Sequence, residues 1–155
     1  MNPRDQEQII EALAVFGESE QAVSEFYSIC GGLCPGDRQT WLAIAEEEQE
    51  HARMVARMQE LFAAYPDDFK KGRPFNVVAI RTFIKGVRWN QCRAISGELK
   101  GRKLAGVSKD IENSIIESSF TTIVETENRA YQALVQKLMD DSVRHRATFS
   151  GMLAG

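Results

Sequence analysis

The segment 45–51 (AEEEQEH) places charged side chains on an apolar helical stripe, and this most limits how the chain can fold. Glu48 and His51 are three residues apart, so they share one face of a helix. The core-facing positions of that face read Trp41, Ile44, Glu48, His51, Val55, Met58 and Phe62. A buried charge without a partner is costly. The pattern therefore favours a compensating group such as a metal ion, and the alternative is a solvated acidic run with an accidental spacing.

The first predicted helix, over residues 3–30, contains a similar interruption. Its stripe carries one acid among apolar and aromatic positions: Ile9, Leu13, Phe16, Glu20, Val23, Tyr27 and Cys30. The pair Gly31-Gly32 is expected to end this helix, and Asp37 is expected to cap a second helix that reaches about residue 64. Because the loop is short, the two helices should form an antiparallel hairpin. Glu20 then lies roughly level with Glu48 and His51.

The second half of the chain repeats this outline less clearly. Residues 65–74 are polar and contain Pro and Gly, so they read as a connection, and Asn76 should cap a third helix to about residue 95. After a loop over 96–106, Ser108 is expected to cap a helix that ends near residue 124. On its mostly apolar face lies Glu117. A last helix, capped by Thr126 or Asn128 and ending near residue 149, carries His145 among core positions.

Length and composition bound the remaining possibilities. A chain of 155 residues is expected to form one domain, over 1–155, and the lack of sustained strand-like alternation favours an all-α fold. The net charge of −3 gives no indication of nucleic acid or of an anionic membrane surface as a partner. Three cysteines without a CxxC pair indicate a reducing compartment. With a polar N-terminus that does not read as a signal peptide, we expect a cytoplasmic protein.

The two halves together match a known dimetal pattern. That pattern takes one Glu from each of two helices and Glu-x-x-His from each of the other two. The chain supplies five of the six positions, and Ser142 stands at the sixth, three residues before His145. The sequence resembles the ferritin-like superfamily, in particular the rubrerythrin-type domains. The resemblance is carried by GESEQAVSEFY (17–27) and AEEEQEHARM (45–54), and more weakly by IESSFTTIV (116–124) and DDSVRHR (140–146).

This resemblance implies a ferritin-like four-helix bundle, made of two antiparallel helix pairs with an extra helix in a long crossover. It implies metal ligation by Glu20, Glu48, His51, Glu117 and His145. Tyr27, seven residues after Glu20, would lie close to the site. The implied cofactor is iron, as one or two ions, with zinc or manganese as other candidates. The implied activity is oxidation of Fe(II) by peroxide or dioxygen, and a homodimer is expected.

Two departures from the family pattern leave alternatives open. No paired CxxC motifs are present, so a complete rubrerythrin with its own electron-transfer domain is not expected. Serine is a poor ligand for a hard cation. Asp141 either replaces Ser142 as a ligand or is, like Asp140, an ordinary surface acid. If Ser142 disables half of the site, one metal remains with Glu20, Glu48 and His51. The alternative function is a non-catalytic helical bundle that acts through oligomerisation or partner binding.

Overall fold

The computed structural model describes residues 1–114 and 119–155, and most of these residues are helical. The α-helices are α1 Pro3–Leu33, α2 Arg38–Ala64, α3 Val77–Ile95, α4 Arg102–Glu112 and α5 Arg129–Ala154. Two short strands, β1 Phe69–Lys71 and β2 Val124–Thr126, pair as an antiparallel ribbon. The expected all-α class is confirmed at this level. The ribbon was not predicted.

The first two helices form the expected antiparallel hairpin. Ser24 donates a hydrogen bond to the carbonyl oxygen of Ala45, whereas Gln59, farther along α2, donates to the carbonyl oxygen of Ile10. Helix α1 ends three residues later than predicted, because Gly31 stays helical. A Cβ at Gly31 would lie 3.1 Å from the Cβ of Trp41, so glycine here permits close packing of α2 rather than helix termination.

Two predicted helix starts are confirmed by capping hydrogen bonds. The side chain of Asn76 accepts from the backbone N–H groups of Val78 and Ala79 at the start of α3. Asn128 accepts from the N–H of Tyr131 at the start of α5. Such caps satisfy backbone donors that have no partner within the helix. Helix α3 packs mainly against α1.

The predicted helix over 108–124 is wrong in its bounds. Helix α4 already begins at Arg102, after Gly101 adopts a φ of 62°, and it ends at Glu112. Ser108 lies inside α4, and its hydroxyl donates to the carbonyl oxygen of Leu104 over 2.8 Å. Val124 starts strand β2. Glu117 lies outside the described residues, so its predicted role stays a prediction.

Helices α4 and α5 also run antiparallel. Arg146 donates to the carbonyl oxygen of Glu112, and Arg102 contacts the carbonyl oxygen of Leu153 at the opposite end. One continuous set of buried apolar side chains includes residues from all five of these helices and from both strands. Within the described ranges, no helix has the length and apolar character that a bilayer crossing requires.

Candidate metal centre

Two groups of three buried side chains meet in the interior. The first group is Glu20, Glu48 and His51, and the second is Glu48, Glu112 and His145. In each group, one potential ligand atom per residue lies within 4.8 Å of the others. All five side chains are at most 1% exposed. The structure therefore brings together Glu20, Glu48, His51 and His145, four of the five ligands expected from sequence, with Glu112 beside them; Glu117 lies outside the described residues.

Glu48 belongs to both groups, with one carboxylate oxygen directed to each histidine. Its Oε2 lies 3.3 Å from Nδ1 of His51, and its Oε1 lies 2.8 Å from Nδ1 of His145. The two imidazole rings face each other with centroids 5.8 Å apart and an interplanar angle of 27°. Glu48 is thus positioned as a bridge between two nearly equivalent half-sites.

The remaining two carboxylates complete the half-sites at matching distances. Oε2 of Glu20 lies 3.5 Å from Nδ1 of His51, and Oε1 of Glu112 lies 3.5 Å from Nδ1 of His145. Helices α1 and α4 each contribute one glutamate, while α2 and α5 contribute the histidines. The arrangement has the approximate twofold pattern that bundle-core dimetal sites show.

A further carboxylate contacts Nε2 of each histidine, on the side of the ring that faces away from Glu48. Nε2 of His51 lies 2.9 Å from Oδ2 of Asp141, and Nε2 of His145 lies 2.7 Å from Oε2 of Glu47. Glu47 and Asp141 each lie four residues before the histidine on their own helix and contact the histidine of the other helix. Arg144 pairs with both of these carboxylates. Such outer carboxylates fix the orientation of ligand imidazoles and raise their basicity.

The charged groups perturb each other strongly. Burial lowers the pKa of His51, but its contacts with the carboxylates of Glu20 and Glu48 outweigh burial and raise this pKa to about 11. Burial also lowers the pKa of His145, but its contacts with the carboxylates of Glu112 and Glu48 outweigh burial and raise this pKa to about 10. Burial, together with the negative charge of Glu48, raises the pKa of Glu20 well above its ordinary value. Both shifts favour the imidazolium form of these two side chains.

Asp141 shows the opposite shift. Burial raises the pKa of this carboxyl, but hydrogen bonds from His51, Lys137 and Arg144 dominate and lower it to about 2. Asp141 is 6% exposed and contacts the outer nitrogen of His51. It is therefore neither the substitute ligand nor the surface acid that the sequence suggested, whereas Asp140 is exposed as expected.

The donor spacing fits metal coordination well in one half-site and partly in the other. Adjacent ligands around a tetrahedral ion are about 3.3 Å apart for bonds of about 2.0 Å. Around an octahedral ion they are about 3.0 Å apart for bonds of about 2.1 Å. At His51, the 3.3 Å separation from Glu48 matches the tetrahedral value, and the 3.5 Å separation from Glu20 is slightly longer. The 2.8 Å separation between His145 and Glu48 is a hydrogen-bond distance, so this pair must open by a few tenths of an ångström to admit an ion.

Two buried oxygens indicate what the centre lacks. Oε2 of Glu20 and Oε2 of Glu112 make no hydrogen bond within the described part of the chain. Buried polar atoms without partners are rare and often mark a site for an ion or a water molecule. Each half-site thus has one carboxylate oxygen available to such a group, although that of Glu20 also lies 3.5 Å from Nδ1 of His51.

Tyr27 lies where the resemblance placed it. Its hydroxyl donates to Oε1 of Glu112 over 2.8 Å, and its ring packs on Trp41 and Phe149. This contact leaves Oε2 of Glu112 as the oxygen without a hydrogen bond. Tyr27 therefore holds the carboxylate of Glu112 in place from the apolar side of the centre.

Sequence reasoning missed Glu112 because it placed the start of the helix at Ser108, which put Glu112 in an exposed first turn. With the start at Arg102, the buried positions Leu104, Ser108 and Ile111 form a helical stripe that Glu112 extends. That stripe was the available signal. The outer carboxylate Glu47 belongs to a run of three glutamates, 46–48, and the sequence does not indicate that Glu47 contacts a histidine of another helix.

Comparison of the chain with protein-family models, with curated proteins and with solved structures finds no match.

Proposed function

We propose that this chain is a metal-binding protein whose interior holds two divalent transition-metal ions bridged by Glu48. Glu20 and His51 would complete one site, and Glu112 and His145 the other. The observation that carries the proposal is the sharing of one buried carboxylate by two histidine–glutamate half-sites, each with a carboxylate oxygen that lacks a hydrogen bond. Imidazole and carboxylate together suit iron, manganese and zinc.

The resemblance to rubrerythrin-type, ferritin-like domains extends this proposal to iron. The helix order supports it, since the first antiparallel pair contributes Glu20 and Glu48-x-x-His51, and the second contributes Glu112 and His145, with Ser142 in place of the second Glu. When bound, an iron pair supplies the redox chemistry by which Fe(II) is oxidised by peroxide or dioxygen. The protein's own contribution is a dry interior, fixed imidazoles and a hydroxyl from Tyr27 on the Glu112 carboxylate.

Metal analysis of the purified chain tests the proposal. Protein produced in iron-replete medium, stripped with a chelator and reloaded with Fe(II) or Co(II), should bind two ions per chain by mass spectrometry of the metals. The variants Glu48→Gln and His51→Ala should bind fewer. Glu46→Gln is a matched control, because Glu46 is exposed on the same helix. Wild-type protein that binds no ion after reloading would contradict the proposal.

A second candidate is a non-catalytic helical bundle that acts through oligomerisation or partner binding. The 2.8 Å contact between Glu48 and His145 favours it, because an imidazolium–carboxylate pair already satisfies part of the polar interior. This candidate predicts a thermal stability that is unaffected by added metal.

A further inference from the structure

A cavity of about 180 Å³ lies beside the second half-site, since Glu112 is one of its lining residues. Ser142 and Arg146 of α5 also line it, together with Met139 and Val143, whose side chains are exposed. Oε2 of Glu112, the oxygen without a hydrogen bond in the described structure, thus belongs to a residue at the wall of this cavity.

Ser142 leaves a gap in the ligand set at this wall. It occupies the position in α5 that Glu48 occupies in α2, three residues before the histidine. In the six-residue pattern a carboxylate stands there, whereas the serine hydroxyl is short, neutral and a weak ligand. Asp141 does not fill the gap, because its carboxylate is engaged by His51, Lys137 and Arg144.

The charges of the loaded centre favour an anion in this gap. Two divalent cations and the three carboxylates of Glu20, Glu48 and Glu112 leave a net charge of +1. The outer carboxylates Glu47 and Asp141 are balanced by Arg144 and Lys137. Arg146 adds a further positive charge at the cavity wall, where it donates to the carbonyl oxygen of Glu112 over 3.3 Å.

We infer that the metal-loaded centre binds one small external monoanion, of the carboxylate or azide type, in the position that Ser142 leaves open. This inference rests on the proposed function. The size of the cavity limits the ligand, because 180 Å³ corresponds to about six water molecules at about 30 Å³ each. The anion would fill an open coordination position of a bound ion, so binding requires the loaded centre.

Azide titration of the Co(II)-loaded full chain tests the inference, with the visible absorption of Co(II) as the readout. Wild-type protein should show a saturable change with one azide per chain. Ser142→Ala keeps the gap and should retain this binding. Ser142→Glu supplies the missing carboxylate and should raise the dissociation constant for azide by about tenfold or more, equivalent to about 1.4 kcal/mol. Formate should compete with azide, whereas its neutral analogue formamide should not.

The outcomes separate this inference from the proposed function. A wild-type chain that binds two Co(II) ions but shows no spectral change with azide overturns the inference alone. Effective competition by formamide also overturns it. A chain that binds no Co(II) contradicts the proposed function and removes the basis of the inference. If Ser142→Glu does not fold, the formate and formamide comparison on wild-type protein still decides.

Discussion

Replacing the bridging carboxylate by its neutral isostere, Glu48→Gln, should abolish stabilisation by metal. In the wild-type chain, free metal at one hundred times the dissociation constant of a site stabilises the fold by about 2.7 kcal/mol. Because Glu48 faces both histidines, two sites depend on it, and the total is about 5 kcal/mol. For a chain of 155 residues, this corresponds to an increase in melting temperature of roughly 10–20 °C.

Differential scanning fluorimetry of chelator-treated protein, with and without added metal, measures this increase. Glu48→Gln should show a shift of less than about one fifth of the wild-type value, since it leaves no charged bridge for either ion. Glu46→Gln is the control, because Glu46 is exposed two residues away on α2 and should keep the full shift. A wild-type shift that Glu48→Gln preserves would refute the assignment of Glu48 as the shared ligand.

Three further predictions concern the surroundings of the centre. Asp141→Asn should weaken metal binding about 10–100-fold in a competition titration, as loss of an outer histidine partner does, whereas Asp140→Asn should leave it unchanged. The free energy of unfolding of metal-free protein, measured by urea titration, should fall as the pH rises from about 7 to 9. In this range the folded protein keeps protons that the unfolded chain loses, because the pKa values of about 11 for His51 and about 10 for His145 exceed the ordinary value of 6.5, and each retained proton contributes a slope of about 1.4 kcal/mol per pH unit. A free energy of unfolding that rises or stays constant would contradict this. Exposed Cys92 should react rapidly with a thiol reagent in native protein, while buried Cys30, with its pKa raised to about 12, should react only after unfolding.

The helices that carry the first half-site could be predicted from sequence because their signals are local. The apolar stripes around Glu20 and Glu48 are long and regular, and Asn76 and Asn128 cap helices through hydrogen bonds to the next few residues. Gly31 was misread because its role is tertiary. It admits α2 at close range, and only the packing of Trp41 shows this.

The second half-site could be predicted only in part. Helix α4 is short and begins after Gly101, where a positive φ rather than a side-chain cap sets the start, so the helix bounds predicted from sequence are wrong and Glu112 was not recognised. The outer contacts of Glu47 and Asp141 cross between α2 and α5. Contacts between distant segments do not change the spacing of apolar residues within either helix, so they cannot be predicted from that spacing. The short β1–β2 ribbon was not predicted for the same reason, since its two strands are far apart in the chain.

The ribbon also depends on one glycine. Gly72 follows β1, and its N–H donates to the carbonyl oxygen of Ile123 over 3.0 Å. A Cβ at this position would collide with the backbone carbonyl of Thr122. The close approach of two backbones thus explains why a glycine stands in what reads from sequence as an ordinary polar connection.

The number and position of metal ions between the helices test the central claim most directly. Crystals of the chain loaded with Fe(II) or Co(II), measured at the absorption edge of the metal, should give two anomalous peaks on either side of the Glu48 carboxylate. One peak should lie near Nδ1 of His51 and the other near Nδ1 of His145. An anomalous map without peaks there, with both imidazoles still hydrogen-bonded to Glu48, would contradict the account.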